Sequence, residues 1–176
     1  MRKVLHLMGL LTDEDMEWIT SRGQLRFVPR GTTVIREGEP IDALSILLEG
    51  KLSVTVSAGQ GRTIAVLYPG EVLGEMSFVD ARPPSATVTA VHDSHVLMIG
   101  RDALDKKMLK EPDFAARFYK ALAVFLVDRL RTTSAHLGYG MWKEDVPGQI
   151  EDAELDDISL AGRRFDELLK RLRVYN

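Results

Sequence analysis

Apolar positions recur at changing intervals along the chain, and each interval predicts a different kind of element. Residues 1–23 carry them at helical spacing. Thr12 precedes Asp13, Glu14 and Asp15, an N-cap followed by an acidic first turn; Met16 and Ile19 follow, and Gly23 can stop the helix. From Leu25 to about Ile99 the pattern shortens to brief β-rich runs separated by Gly or Pro. They are Arg26-Phe27-Val28, Thr33-Val34-Ile35, Leu44-Ser45-Ile46-Leu47-Leu48, Leu52-Ser53-Val54-Thr55-Val56, Thr63-Ile64-Ala65-Val66-Leu67, Ala86-Thr87-Val88-Thr89-Ala90 and His95-Val96-Leu97-Met98-Ile99. Seven or eight strands at roughly ten-residue spacing predict an antiparallel sandwich, roll or barrel. Glu49-Gly50-Lys51 and Ala58-Gly59-Gln60-Gly61 supply the glycines of two hairpin turns.

After Pro112 helical spacing returns and runs to Leu137, through Phe114, Phe118, Leu122, Phe125, Leu126, Arg129 and Leu130. Its apolar face, widened by Ala121 and Ala123, is larger than one small β domain usually covers, so a second copy of the helix is the expected partner. Gly138 to Asp157 reads as a linker, with Gly138, Gly140, Pro147 and Gly148, and seven acidic residues but no basic one from Glu144 onward. The last stretch is an amphipathic helix: Ile158, Ala161, Phe165, Leu168, Leu169 and Leu172 share a face, with Arg163, Arg164, Lys170, Arg171 and Arg173 elsewhere. The expected organisation is a domain over 1–137, a linker over 138–157 and a helix over 158–176.

Composition narrows the chemistry. The 176 residues carry a net charge of −3, which gives no electrostatic case for nucleic acid. With no cysteine, disulfides, thiol catalysis, iron–sulfur ligation and cysteine zinc sites are excluded. No apolar run approaches the roughly 18–20 residues a bilayer requires. The basic-then-apolar Met1–Met8 stretch is too interrupted for a signal peptide, so a soluble cytoplasmic protein is expected. His92 and His95 flank a turn without a third ligand nearby, and Asp128, Ser134 and His136 share one helix at spacings that cannot form a hydrolytic triad. No catalytic or metal set results, and Trp18 and Trp142 are expected to pack.

The chemistry concentrates in Pro69-Gly70-Glu71-Val72-Leu73-Gly74-Glu75-Met76-Ser77-Phe78-Val79-Asp80-Ala81-Arg82-Pro83-Pro84-Ser85-Ala86-Thr87-Val88. It reads as a strand, a Gly-Glu at its end, one short helical turn, a proline-stiffened loop and another strand. Amide groups at a helix start attract an anion, Gly74 lets a ligand approach the main chain, and the Glu75 carboxylate can accept from a sugar hydroxyl. A phosphate beside a ribose satisfies both. The plainer reading, in which Glu75 only fixes the turn, Ser77 and Ser85 only cap, and Arg82 is a solvent-facing charge, stands beside it.

This segment resembles the phosphate-binding cassette of the cyclic nucleotide-binding domain family, a Gly-Glu, a short helix, then Arg-Ala or Arg-Ser before Ala-Thr-Val. The resemblance extends over about Leu10 to Leu137 and includes Phe27-Val28-Pro29-Arg30-Gly31, Ile35-Arg36-Glu37-Gly38-Glu39, Leu48-Glu49-Gly50 and Tyr68-Pro69-Gly70. It implies a mainly β fold, an antiparallel β-roll of the jelly-roll-like double-stranded β-helix kind, with flanking helices and a long C-terminal helix against the ligand. Ligand contacts are then expected from Gly74, Glu75, Met76, Ser77, Arg82, Ser85 and Ala86. Aligned without a gap, Pro84 occupies the place of the family's phosphate-binding arginine, and Arg82 reaches inward only if the loop takes a different path. Asp128 to Gly138 resembles the end of the long helix in catabolite-activator-type regulators, where a Thr-Ser pair, here Thr133 and Ser134, meets the adenine across a dimer axis. The stretch beyond is expected to be too short for their winged helix-turn-helix domain.

The resemblance thus implies a non-enzymatic regulatory module that binds a cyclic nucleotide, cyclic AMP before cyclic GMP, with no other cofactor. It is expected to form homodimers and to signal to an unidentified protein partner rather than to DNA or a membrane. The alternative is an interaction protein that keeps the fold and has lost the ligand.

Overall fold

The computed structural model describes residues 9–59, 61–136 and 152–174. The N-terminal Met1–Met8 stretch, Gln60 in the second hairpin turn, Leu137, Trp142 and most of the acidic linker lie outside the described residues. Eight strands form two antiparallel four-stranded sheets. One has the order β1 (Gln24–Val28), β8 (Ser94–Gly100), β3 (Ala43–Glu49), β6 (Val72–Leu73); the other β2 (Thr33–Ile35), β7 (Thr87–Ala90), β4 (Leu52–Thr55), β5 (Thr63–Leu67). This is the β-roll the resemblance implied.

The alternation of side chains explains why β3 is apolar on both faces apart from the buried Ser45. Leu47 points between the sheets with Val28, Ile35, Leu52, Leu67, Leu73, Val88 and Val96. Leu44, Ile46 and Leu48 point the other way, onto a helical layer. A strand covered on both faces needs no polar side. The helical layer is built from α1 (Asp13–Arg22), α3 (Arg101–Lys110), α4 (Pro112–His136) and α5 (Asp152–Val174), with the short α2 (Glu75–Asp80) between β6 and β7.

α1 starts as its sequence predicts. The Thr12 hydroxyl accepts from the Asp15 N–H at 3.2 Å while the Asp15 carboxylate accepts from the Thr12 N–H at 2.9 Å, a reciprocal capping box. Gly23 follows with ordinary negative φ; glycine is required there because a Cβ would collide with Leu97. Asp15 has a second task. Arg117 of α4 donates to its two oxygens at 2.7 and 3.0 Å, fastening α4 to α1.

The apolar face of α4 is largely satisfied inside the chain. Phe114, Phe118, Ala121, Leu122 and Phe125 are buried in one cluster with Leu11, Met16 and Ile19, the β3 and β8 side chains, and Ala161 and Leu168 of α5. Phe114 stacks on Phe118 with centroids 5.5 Å apart, and Trp18 packs edge-on against Phe114 at 5.6 Å. The cover expected from a second copy is supplied over this part of the face by α5, while Ala123 and Leu130 of the same face stay exposed. That helix also begins at Asp152, inside the stretch read as linker. Arg164, off the apolar face of α5, is nonetheless largely enclosed, donating to Asp13 Oδ1 at 2.8 Å and to the Leu11 carbonyl at 2.6 Å.

Two predictions follow from this packing. A 23-residue helix cut from its contacts is marginal in water, so its order depends on docking Leu168, Phe165, Leu169 and Leu172. Ending the chain at Gly148 should lower the melting temperature by roughly 6–12 °C, the equivalent of about 3 kcal/mol, in scanning calorimetry. An unchanged temperature would show a free tail. For Asp15, burial pushes the carboxyl pKa up, but the hydrogen bonds from Arg117 and Thr12 outweigh it and hold the value below the ordinary range. The pair therefore stabilises the fold above the usual aspartate range and is lost as pH falls through the lowered folded-state value. Asp15→Asn should cost about 2 kcal/mol at neutral pH in denaturant titrations, with the gap to the parent closing in acid.

Candidate functional site

The chain between β6 and β7 is bent by two left-handed residues. Gly74 has φ +82°, and a Cβ there would sit 2.6 Å from Ile41 Cδ1, so only glycine makes the turn into α2. Ala81 ends α2 at φ +58°, returning its N–H to the Ser77 carbonyl at 3.1 Å. The far end of α2 is anchored from α3: Arg101 donates to the Ser77 and Phe78 carbonyls at 3.0 and 2.8 Å and lies over the Phe78 ring. The proline loop is held in turn by the segment after β2. Gly38 donates to the Pro84 carbonyl at 2.8 Å, and the Glu37 N–H to the Thr87 hydroxyl at 3.1 Å.

These turns frame a small open cavity of about 70 Å³ at the end of the inter-sheet core. Ile35, Val54, Leu67, Leu73 and Val88 line its apolar part. Gly74, Glu75, Met76, Ser77, Pro84, Ser85 and Ala86 line the cassette side, and Arg129 enters from α4. Six of the residues expected at the ligand, Gly74, Glu75, Met76, Ser77, Ser85 and Ala86, are thus together around one space.

The other three are elsewhere in this chain. The Arg82 side chain is 84% exposed and pairs with Asp80 at 3.9 Å, while its N–H is bonded to Asp80 Oδ1 at 3.0 Å. The loop keeps Arg82 outside the cavity lining. Thr133 lies one turn beyond Arg129 and bonds its carbonyl at 2.9 Å; Ser134 follows on the same helix, and neither lines the cavity.

Glu75 is the electrostatic centre. Its residue is only 2% exposed, and its carboxylate accepts from Arg129 Nη1. Arg129 Nη2 stands 3.7 Å from Glu71 Oε2, and the guanidinium lies over the Phe125 ring, 5.0 Å from its centroid. Burial drives the Glu75 pKa above the ordinary glutamate range; the positive charge and hydrogen bond of Arg129 oppose the rise, and Glu71 adds to it. Sequence reading marked Arg129 only as part of the helix. A signal was present: Phe118, Leu122, Phe125 and Arg129 continue one helical stripe, and a charge on a buried stripe needs a counter-charge.

Among the described residues, no cluster of three or more His, Cys, Asp or Glu is placed to hold a metal ion, and no helix is long and apolar enough to cross a membrane. His95 meets Glu49 across the strands, Nδ1 to Oε2 at 3.4 Å.

The cyclic nucleotide-binding domain family matches residues 25–111, from β1 to the end of α3. The CRP-like cAMP-activated global transcriptional regulator of Mycobacterium tuberculosis is 32% identical over 124 residues, 69% of this chain and 53% of that protein. The Cyclic AMP receptor protein of Thermus thermophilus is 33% identical over 129 residues, 72% of this chain and 58% of that one. The chain thus spans little more than half the length of these curated relatives. Among solved structures, a cyclic nucleotide-binding domain from Methylobacillus flagellatus superposes with a TM-score of 0.70 at 26% identity, over 77% of this chain and 80% of the other. The N-terminal domain of a transcriptional regulator from Streptomyces coelicolor gives 0.61 at 31% identity, over 75% of this chain and 95% of that domain. The fold agrees with these solved structures, and the chain belongs to the cyclic nucleotide-binding domain family.

Proposed function

We propose that this chain is a non-enzymatic regulatory module that takes a cyclic nucleotide, cyclic AMP in preference to cyclic GMP, in the cavity between the cassette and α4. The observation that carries this reading is the bond between Glu75 of the cassette and Arg129 of α4, which joins the cavity wall to the long helix. Glu75, Ser77, Ser85 and the backbone at Gly74 and Ala86 offer acceptors and donors suited to a ribose and a phosphate. Two relatives carry cyclic AMP in their names, which favours that ligand. A ligand that binds one position of α4 better than another shifts the population toward it. The output is a protein contact through α4 and α5.

The same reading includes a homodimer through the part of α4 that α5 leaves open. Tyr119, Val127 and Leu130 stand exposed on that helix, Leu130 to 66%, beside the exposed Met76 and Val79 of α2. Phe78 of α2 and Tyr119 of α4 lie 6.5 Å apart, so the two sets adjoin. Thr133 and Ser134 continue along α4 and would be offered to the partner's ligand.

A second reading is favoured by Pro84, which lines the cavity with neither a charge nor an N–H to give. It is an interaction module that keeps the fold without a ligand.

Thermal titration separates the two readings. Cyclic AMP at a hundred times its dissociation constant should add about 2.7 kcal/mol, or roughly 5–10 °C, with a smaller shift for cyclic GMP. Pro84→Arg should tighten cyclic AMP binding by about tenfold to a hundredfold. No shift for either protein, with native circular dichroism, would leave the interaction module. For the dimer, Leu130→Glu should yield monomers by light scattering with little change in melting temperature. An unchanged mass would place any self-association elsewhere.

A further inference from the structure

We propose that Arg129, carried by α4, is the residue that receives the ligand's anionic group in this chain. The inference rests on the sensor reading above and names the cation of that site. Three observations support it. Arg129 is the one cation among the described residues lining the cavity. The cassette supplies none, since Arg82 faces solvent against Asp80 and Pro84 can neither carry charge nor donate. The guanidinium is also prepared to accept an anion. Its side chain is 30% exposed, its plane is steadied over Phe125, and Nη1 engages Glu75 while Nη2 stands near Glu71. A guanidinium has five N–H donors in a fixed fork, so a phosphate oxygen can be added without first emptying the site. An anion entering a largely apolar cavity requires such a counter-charge.

The consequence is a change in where the pull acts. With the cation on the cassette, an anion tightens the loop; with the cation on α4, the same anion draws the long helix. Glu75 then shares its counter-charge and is available to a ligand hydroxyl.

The test must separate a ligand role from the service Arg129 gives to buried Glu75. Glu75→Gln removes the need for that service, so the comparison is between Glu75→Gln and the double variant Glu75→Gln/Arg129→Gln, both as full chains, titrated with cyclic AMP by calorimetry. Losing Arg129 in that background should weaken binding by about tenfold to a hundredfold. Equal affinities would overturn the proposal. Arg129→Lys, which keeps a charge for Glu75 but loses the planar fork, is the second arm: about tenfold weaker binding is expected, and parent-like affinity counts against it. If the parent and Pro84→Arg are both folded and both fail to bind, the sensor reading falls and this inference with it. If the parent binds and Arg129 proves dispensable, only the inference falls.

Discussion

A carboxylate sealed from water must be matched by a positive charge or lose its own, and that requirement at Glu75 ties the functional half of the molecule together. Gly74 turns the chain so that Glu75 enters the end of the inter-sheet core. The answering charge comes from the other side of the site, on α4. For Arg129 to be there, α4 must lie at a defined height and rotation against the sheet. The packing of Phe114, Phe118, Leu122 and Phe125 sets both, Arg117 on Asp15 fixes the first turns, and α5 closes the remaining side.

The fold was legible in the sequence to the extent that local chemistry decides it. Alternation within 25–99, the N-cap at Thr12 and the glycines of the cassette are all signals of a few residues' reach. The β3 run needed only the knowledge that a doubly covered strand loses its polar face. The cassette side of the cavity was legible for the same reason, being one continuous segment. What escaped depended on partners distant in sequence. Arg129 gains its meaning from Glu75, 54 residues earlier, and Arg164 from Asp13, 151 residues earlier. The apolar face of α4 was recognised, but its cover was assigned to a second copy because the amphipathic strength of α5 says nothing about where it docks. Arg82 shows the converse: its loop is set by Asp80 and by the Pro84 carbonyl's bond to Gly38, neither of which residue spacing reveals.

The departure at Pro84 gives the site its individual character. A cassette arginine would bring its own charge to an incoming phosphate and leave Arg129 to Glu75. Here one guanidinium faces a buried carboxylate and the ligand space together. The affinity of such a site is set by a competition for donors, so changes at Glu75 and at Arg129 should not be additive.

The bond from Arg164 to Leu11 and Asp13 also has a meaning for how the protein is made. A ribosome delivers α1 before α5, at roughly 5–20 residues per second. For about ten seconds, on that scale, the nascent chain holds both sheets and then α4 with one side of the Phe118 and Leu122 cluster still lacking its cover. The helix that completes this core emerges after the rest of it, so the interval before it arrives is when the chain is most open to wrong partners.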